Sequence, residues 1–189
     1  LKKIKMGAKT FLYPMPVTLV GVNINGKPNY LAVAYCGIVG TSPAMIAIAL
    51  RDSRYTNTGI KENGTFSVNL PSSKMIKVTD YCGLVSGRKV DKSKLFNTFY
   101  GELKTAPMIN ECPVNLECKL IRVLDCGGSH EIYIGEIVET YAGEECLTND
   151  LPDIKKISPI LLSIYDKSYW EVGVYLGKAW GIGGEFRPE

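Results

Sequence analysis

The sequence predicts one mainly β domain, an antiparallel barrel or sandwich with a few short helices. Three observations carry that prediction. Strand-like segments follow one another without regularly interposed helices, which argues against a doubly wound sheet. Turn chemistry separates them, as at Asn25-Gly26 and at Cys126-Gly127-Gly128-Ser129. With 46% apolar and 22% charged residues over 189 positions, the composition is that of an ordinary globular domain. A chain of this length buries a core without disulfides or structural metals.

Taken in order, residues 17–24 alternate in type and end at Asn25-Gly26, so they pair with residues 29–35 as a hairpin. Residues 44–50 read as a third strand, apolar on both faces and deeply buried. Thr56 is placed to cap a short helix through Glu62, and Gly64 closes it. Residues 65–70 set Thr, Ser and Asn against Phe, Val and Leu, the pattern of a half-buried strand, which Pro71 ends. Ser72 or Ser73 caps a second helix carrying Met75, Ile76, Val78, Thr79 and Cys82 at helical spacing. A loop rich in glycine and charge follows at 83–94, and residues 95–113 are irregular. Two long strands, 114–124 and 130–141, flank the Gly-Gly turn. Residues 142–158 are polar and irregular, 159–165 and 169–174 read as further strands, and 177–189 form a glycine-rich tail. No internal repeat or linker divides the chain, so residues 1–189 are expected to form a single domain.

Several classes of function are excluded or disfavoured. The net charge of +3 is spread along the chain with no basic block, which predicts no nucleic-acid partner. No apolar run approaches a membrane-spanning helix of roughly 20 residues. The absence of a secretory signal, together with six scattered cysteines, points to reduced buried thiols and a cytoplasmic location. A single histidine excludes His-paired zinc sites, and no metal ligand set is assigned. A cysteine-ligated metal or iron–sulfur centre built from Cys112, Cys118 and Cys126 ranks low because the spacing fits no cluster pattern. There is no G-x-S-x-G elbow to supply a nucleophile to His130. Gly37-Ile38-Val39-Gly40-Thr41-Ser42 lacks the G-K-[ST] ending of a phosphate loop, and Gly181-Ile182-Gly183-Gly184 is no dinucleotide fingerprint. A nicotinamide nucleotide would therefore bind without a Rossmann site.

The best anion site is the segment 51–57, where two arginines, Ser53 and Thr56 precede the predicted helix. Free N–H groups at a helix start favour a phosphate, and the side chains add charge-assisted bonds. A plain helix cap beside solvated arginines explains the same residues on local grounds. Residues 29–36 offer small side chains, Ala32 and Ala34, over which a flat ring could approach the backbone; an ordinary core strand explains these too. His130 opens a strand where it could serve a proton transfer or simply be structural. Tyr169 and Trp170 could cover an aromatic ring or fill core.

These signals occur in an order that resembles the flavin reductase-like family, especially its flavoredoxin branch. The matching residues are Pro14-Met15-Pro16-Val17-Thr18-Leu19-Val20, Asn25-Gly26-Lys27-Pro28-Asn29, Thr41-Ser42-Pro43 and Arg54-Tyr55-Thr56. They continue with Asn63-Gly64-Thr65-Phe66-Ser67-Val68-Asn69-Leu70-Pro71, Ser86-Gly87-Arg88-Lys89-Val90-Asp91-Lys92, Ala106-Pro107, Gly128-Ser129-His130 and Gly135-Glu136-Ile137-Val138. The resemblance spans about residues 10–141. It departs at Ser129, where the family often has Asp, and at Ser42-Pro43, where it commonly has two prolines.

The resemblance implies an antiparallel split β-barrel that binds FMN non-covalently at or near a homodimer interface. It implies that Asn29, Ala34, Tyr35 and Cys36 line the isoalloxazine, and that Arg51, Ser53, Arg54, Thr56 and Asn57 surround the phosphate and ribityl chain. Asn69 and Leu70 would flank the pocket. Ser86, Gly87, Arg88 and Lys92 would approach from a loop of the same or the partner subunit, with Lys92 a candidate to stabilise charge on the reduced ring. His130 would be the catalytic candidate near the ring. The activity implied is electron transfer from NADH, NADPH or a low-potential donor through FMN to flavin, a metal complex or a protein. The alternative is an FMN electron carrier without nicotinamide activity.

Overall fold

The computed structural model describes residues 1–187, apart from the side chain of Glu185. In chain order its strands and helices are β1 (Met15–Pro16), β2 (Thr18–Ile24), β3 (Lys27–Val33), β4 (Cys36–Thr41), β5 (Ala44–Arg51), α1 (Thr56–Asn63), β6 (Thr65–Leu70), α2 (Ile76–Leu84), β7 (Thr98–Phe99), β8 (Met108–Ile109), β9 (Val114–Asp125), β10 (His130–Ala142), β11 (Leu147–Thr148), β12 (Leu151–Pro152), α3 (Ile154–Ile157), β13 (Leu161–Ser163) and β14 (Ser168–Trp170). Mainly antiparallel β structure with short helices is therefore what the chain forms.

Seven strands make one antiparallel sheet in the order β3-β2-β6-β9-β10-β5-β4. The long strands β9 and β10 bend it. Their ladder shifts register between Ile134 and Gly135 and again between Ile137 and Glu139, and such irregularities sharpen strand twist. The bend lets both halves of the sheet close on one core. Val22, Leu31, Ile48, Phe66, Cys118 and Tyr133, from six different strands, meet there. The ladder is not closed between β3 and β4, so the barrel is split. Near this opening the Ala49 N–H donates to the Tyr35 carbonyl at 2.8 Å.

Helix α1 packs directly on β2. A Cβ at Gly59 would lie 2.7 Å from the Asn23 carbonyl oxygen, so only glycine permits this approach. The β2–β3 turn follows the sequence expectation, with Asn25 and Gly26 at φ 51° and 74°. Gly64 ends α1 in the left-handed region and its N–H reaches the Ile60 carbonyl.

Several expectations are corrected. Tyr55, not Thr56, occupies the cap position of α1, and it makes no side-chain cap bond. Thr56 is buried inside the first turn, where its Oγ1 accepts from Asn29 Nδ2 at 3.2 Å. Strand β5 buries only one face fully, Ile46, Ile48 and Leu50, while Met45, Ala47 and Ala49 stay half-exposed. Strand β6 is buried on both faces except at Leu70, because it lies mid-sheet beneath residues 105–109. Strand β4 was not anticipated, since its two glycines obscure any alternation. The cysteines are free, but only Cys82, Cys112, Cys118 and Cys146 are buried; Cys36 is half-buried and Cys126 is exposed. Among the described residues no helix is long and apolar enough to cross a membrane.

Candidate functional site

The opening of the split barrel holds a cleft of about 370 Å3. Its floor is the end of β3 and the link to β4, where Leu31, Ala32, Val33, Ala34 and Tyr35 line it. Ala49, Leu50 and Arg51 at the end of β5 form one wall, with Arg54 and His130 above them. Leu162 and Ile164, in and just after β13, form the opposite wall. Ala32 and Ala34 on the floor and Ala49 on the wall leave room for a flat ring against backbone.

The cleft runs into a smaller pocket of about 170 Å3, with which it shares Leu31 and Arg54. Asn29, Ser53, Tyr55, Thr56, Ser86, Gly87 and Lys92 line this end. Together the two pockets offer the size and mixed chemistry of a small-molecule site.

The loop between β5 and α1 is held in place from below. Asn57 is buried, and its Nδ2 donates to the Arg51 carbonyl at 2.9 Å and the Asp52 carbonyl at 3.2 Å. The Ser53 N–H donates to Asp52 Oδ1 at 2.7 Å, and the Arg54 N–H to the Arg51 carbonyl at 3.0 Å. These bonds turn the backbone so that the N–H groups of Tyr55 and Thr56 have no acceptor among the described residues, the usual state of a helix start. The guanidiniums of Arg51 and Arg54 form no ion pair among the described residues. Asn29 is buried, with Oδ1 unpaired. Unmet N–H donors and the unpaired Arg54 in the small pocket, with Arg51 in the adjoining cleft, suit an anion such as a phosphate.

Glu131 anchors this arrangement to β10. It accepts from Lys61 Nζ at 2.7 Å, from Tyr133 Oη at 2.6 Å and from Asn57 Nδ2 at 3.4 Å. The Lys61 and Tyr133 bonds hold its carboxyl below the usual glutamate value. A folded pKa below the unfolded one means that the stabilisation is present above the unfolded value and is lost as pH falls through the folded one. Glu131→Gln is therefore expected to destabilise the fold by about 1 kcal/mol at neutral pH, with the difference from wild type vanishing in acid. Urea unfolding at neutral and acidic pH checks this.

Lys92 is 3% exposed and donates to the Tyr30 and Cys82 carbonyls, both at 2.8 Å. Burial lowers its pKa, the nearby Cys82 thiol opposes that, and Arg54 adds to the lowering. It lines the Ser53–Thr56 pocket and not the larger cleft, so the contact expected with a ring in that cleft is not what its position offers.

Of the residues expected at the site, Asn29, Ala34, Tyr35, Arg51, Ser53, Arg54, Thr56, Ser86, Gly87, Lys92 and His130 line the two pockets. Asn57 sits beneath them as a positioning residue. Arg88 lies in an adjoining groove, its guanidinium 4.8 Å from the centroid of the Tyr55 ring. Cys36 packs toward the core, accepting from Thr18 Oγ1 at 3.8 Å. Asn69 is fully buried in a polar core network, and Leu70 packs by Val114, Cys146 and Ile157. Neither lines the cleft. Tyr169 and Trp170 do not cover it either: Tyr169 Oη donates to Asp80, Trp170 Nε1 to Ser163 Oγ, and both line a separate small hollow beside Ile76 and Ile160. Leu162 and Ile164 were missed. Their strand was legible, but its attachment to β1, across the register Met15 to Leu162, is non-local.

The flavin reductase like domain model matches residues 10–166, which extends the likeness beyond the resemblance of 10–141 and includes β13. The flavoredoxin crystal structure from Methanosarcina acetivorans shares 51% identity, with a TM-score of 0.94 over 97% of this chain and 98% of that one. Flavoredoxin of Desulfovibrio vulgaris (Miyazaki F) shares 37% identity, with a TM-score of 0.89 over 96% of this chain and all of that one. A protein of Archaeoglobus fulgidus with no assigned function is 32% identical over 76% of this chain and 81% of its own length. Sequence order, split barrel, cleft and family model agree that this chain belongs to the flavin reductase-like domain family.

Proposed function

We propose that the chain binds FMN non-covalently in this cleft and carries electrons through it. The observation that supports this most is the pairing of an alanine-lined cleft, which Arg51 also lines, with an adjoining pocket of unmet N–H donors that shares the unpaired Arg54. Arg51, Arg54, Ser53, Ser86 and the free amides hold the phosphate, and Lys92 adds charge behind it. The backbone of residues 31–35 and the walls at Leu162 and Ile164 orient the ring and exclude water from one face. FMN, when bound, supplies reversible hydride and electron transfer, which no side chain here can do.

His130 stands at the mouth of the cleft, its ring 5.5 Å from that of Tyr35 and its Nδ1 2.9 Å from Ser129 Oγ. Its role in this proposal is to hold or move a proton there. His130→Ala should leave FMN affinity unchanged and slow reduction or acceptor turnover by about 100-fold or more, within the range for general acid–base groups. Stopped-flow traces that match wild type would make His130 structural.

NADH or NADPH as donor is the first reading, with free flavin, a metal complex or a protein as acceptor. A carrier without nicotinamide activity is the second; the missing Rossmann signals and the two flavoredoxin relatives favour it. Anaerobic mixing of the FMN-loaded protein with each nucleotide separates them. Rapid bleaching supports the reductase, and no bleaching supports the carrier. A protein that stays colourless after incubation with FMN and gel filtration contradicts both.

A homodimer in the cytoplasm belongs to the same proposal. Ile38 and Val39 on β4, Ile121 and Leu124 on β9 and Val138 on β10 are large apolar side chains left exposed on one half of the sheet, the kind of surface a second copy covers. Sedimentation at micromolar concentration tests the dimer.

A further inference from the structure

The chain exposes more surface than its mass calls for. Its accessible area is 12158 Å2, against about 8,900 Å2 for a folded monomer of 20.8 kDa. The surplus, about 3,000 Å2, lies within the range that an obligate dimer buries. Both ends of the chain contribute to it, since residues 1–14 and 171–184 are nearly all exposed.

The C-terminal end has the composition of a strand and nothing to pair with. After β14 the chain reads Val172-Gly173-Val174-Tyr175-Leu176-Gly177, and β-branched and aromatic residues favour extended backbone. Val174, Tyr175 and Leu176 are 82%, 73% and 85% exposed. The N–H and C=O groups of residues 172–177 meet no partner among the described residues.

The seven-stranded sheet ends in a strand with the matching need. Among the described residues β4 pairs with β5 alone, so its other edge faces no strand. It carries no charge and no proline, the usual guards of such an edge. Ile38 and Val39 on it are exposed, and a register shift leaves Val39 without a ladder partner. The opposite end of the sheet is guarded, because α2 packs against β3 and Lys92 Nζ donates to the Tyr30 carbonyl.

One chain therefore carries an unpaired strand and an unpaired edge without joining them. Two copies satisfy both at once, because a two-fold axis makes each contact twice. We propose that residues 172–177 of one copy add as a strand to the β4 edge of a second copy, and the reverse. Main-chain hydrogen bonds give the contact its strength, and the apolar side chains of the added strand cover Ile38 and Val39. This rests on the homodimer reading and names the surfaces that hold it.

Sedimentation equilibrium of the full chain tests it, comparing wild type with the double variant Val174→Pro, Leu176→Asp. Both positions are exposed in the single chain, so circular dichroism should match wild type. Wild type should be dimeric at micromolar concentration, and the variant's dissociation constant should rise about 30-fold or more. Hydrogen exchange on the same samples reads the receiving edge: the amides of residues 37–40 should exchange about tenfold or more faster in the variant. A monomeric wild type would remove the homodimer reading and the strand addition with it. A variant dimer of unchanged strength, or one weakened without faster exchange at residues 37–40, overturns the strand addition and leaves the homodimer standing.

Discussion

Replacing Arg51 and Arg54 together with Ala should lower FMN affinity by about 2–4 kcal/mol, roughly 30- to 1,000-fold, and leave the fold intact. Neither guanidinium forms an ion pair within the described chain, so removing them leaves no carboxylate stranded. The loop they sit on is shaped by Asn57 and Asp52, which are untouched. What disappears is the charge-assisted half of the anion site, while the free amides at the start of α1 remain. Circular dichroism should match wild type, and a fluorescence-quench titration should show the loss. Unchanged affinity would move the phosphate elsewhere.

Asn69→Ala should do the reverse. Asn69 donates through Nδ2 to the Leu19 carbonyl at 2.8 Å and to Ser67 Oγ at 2.9 Å. Its Oδ1 accepts the Ile109 N–H at 3.0 Å and Asn115 Nδ2 at 2.8 Å. One side chain thus joins β2, β6, β8 and β9 in a dry interior. Truncation removes the partner of two buried donors and two buried acceptors, each worth on the order of 1–3 kcal/mol where it stays unmet, so a stability loss of about 3–5 kcal/mol is expected. The folded fraction should bind FMN with wild-type affinity, because the residue lines neither pocket. Urea unfolding alongside a flavin titration reads both quantities. A variant of full stability with weakened FMN binding would return Asn69 to the site.

Asn25-Gly26 and Gly64 were legible because a left-handed backbone demands those residue types locally. Residues 114–124 and 130–141 were legible as long strands around a Gly-Gly turn. The segment 51–57 was legible as a contiguous set of polar residues, and four of them, Arg51, Ser53, Arg54 and Thr56, line the two pockets. Asn69 was not legible as core, since an asparagine in an alternating strand looks the same whether it meets ligand, solvent or a buried network. Strand β6 hid both faces because residues far along the chain cover it: Ser67 Oγ donates to the Pro107 carbonyl, and Thr65 meets Thr105 at 2.7 Å. Leu162 and Ile164 reach the cleft only through the pairing of β13 with β1, a contact no local pattern encodes. Arg88 shared a contiguous motif with Ser86 and Gly87, yet the turn after Gly87 carries it across Tyr55 into the next groove.

In the proposed FMN site, an alanine-lined cleft for the ring joins a pocket for the phosphate. Titrating the purified full chain with FMN and with riboflavin tests it most directly, because the two differ only by the phosphate. FMN is expected to bind tighter by about 100-fold or more, a difference of about 3 kcal/mol, and the gap should shrink when Arg51 and Arg54 are both replaced. Equal affinities for FMN and riboflavin, or no binding of either, would contradict it.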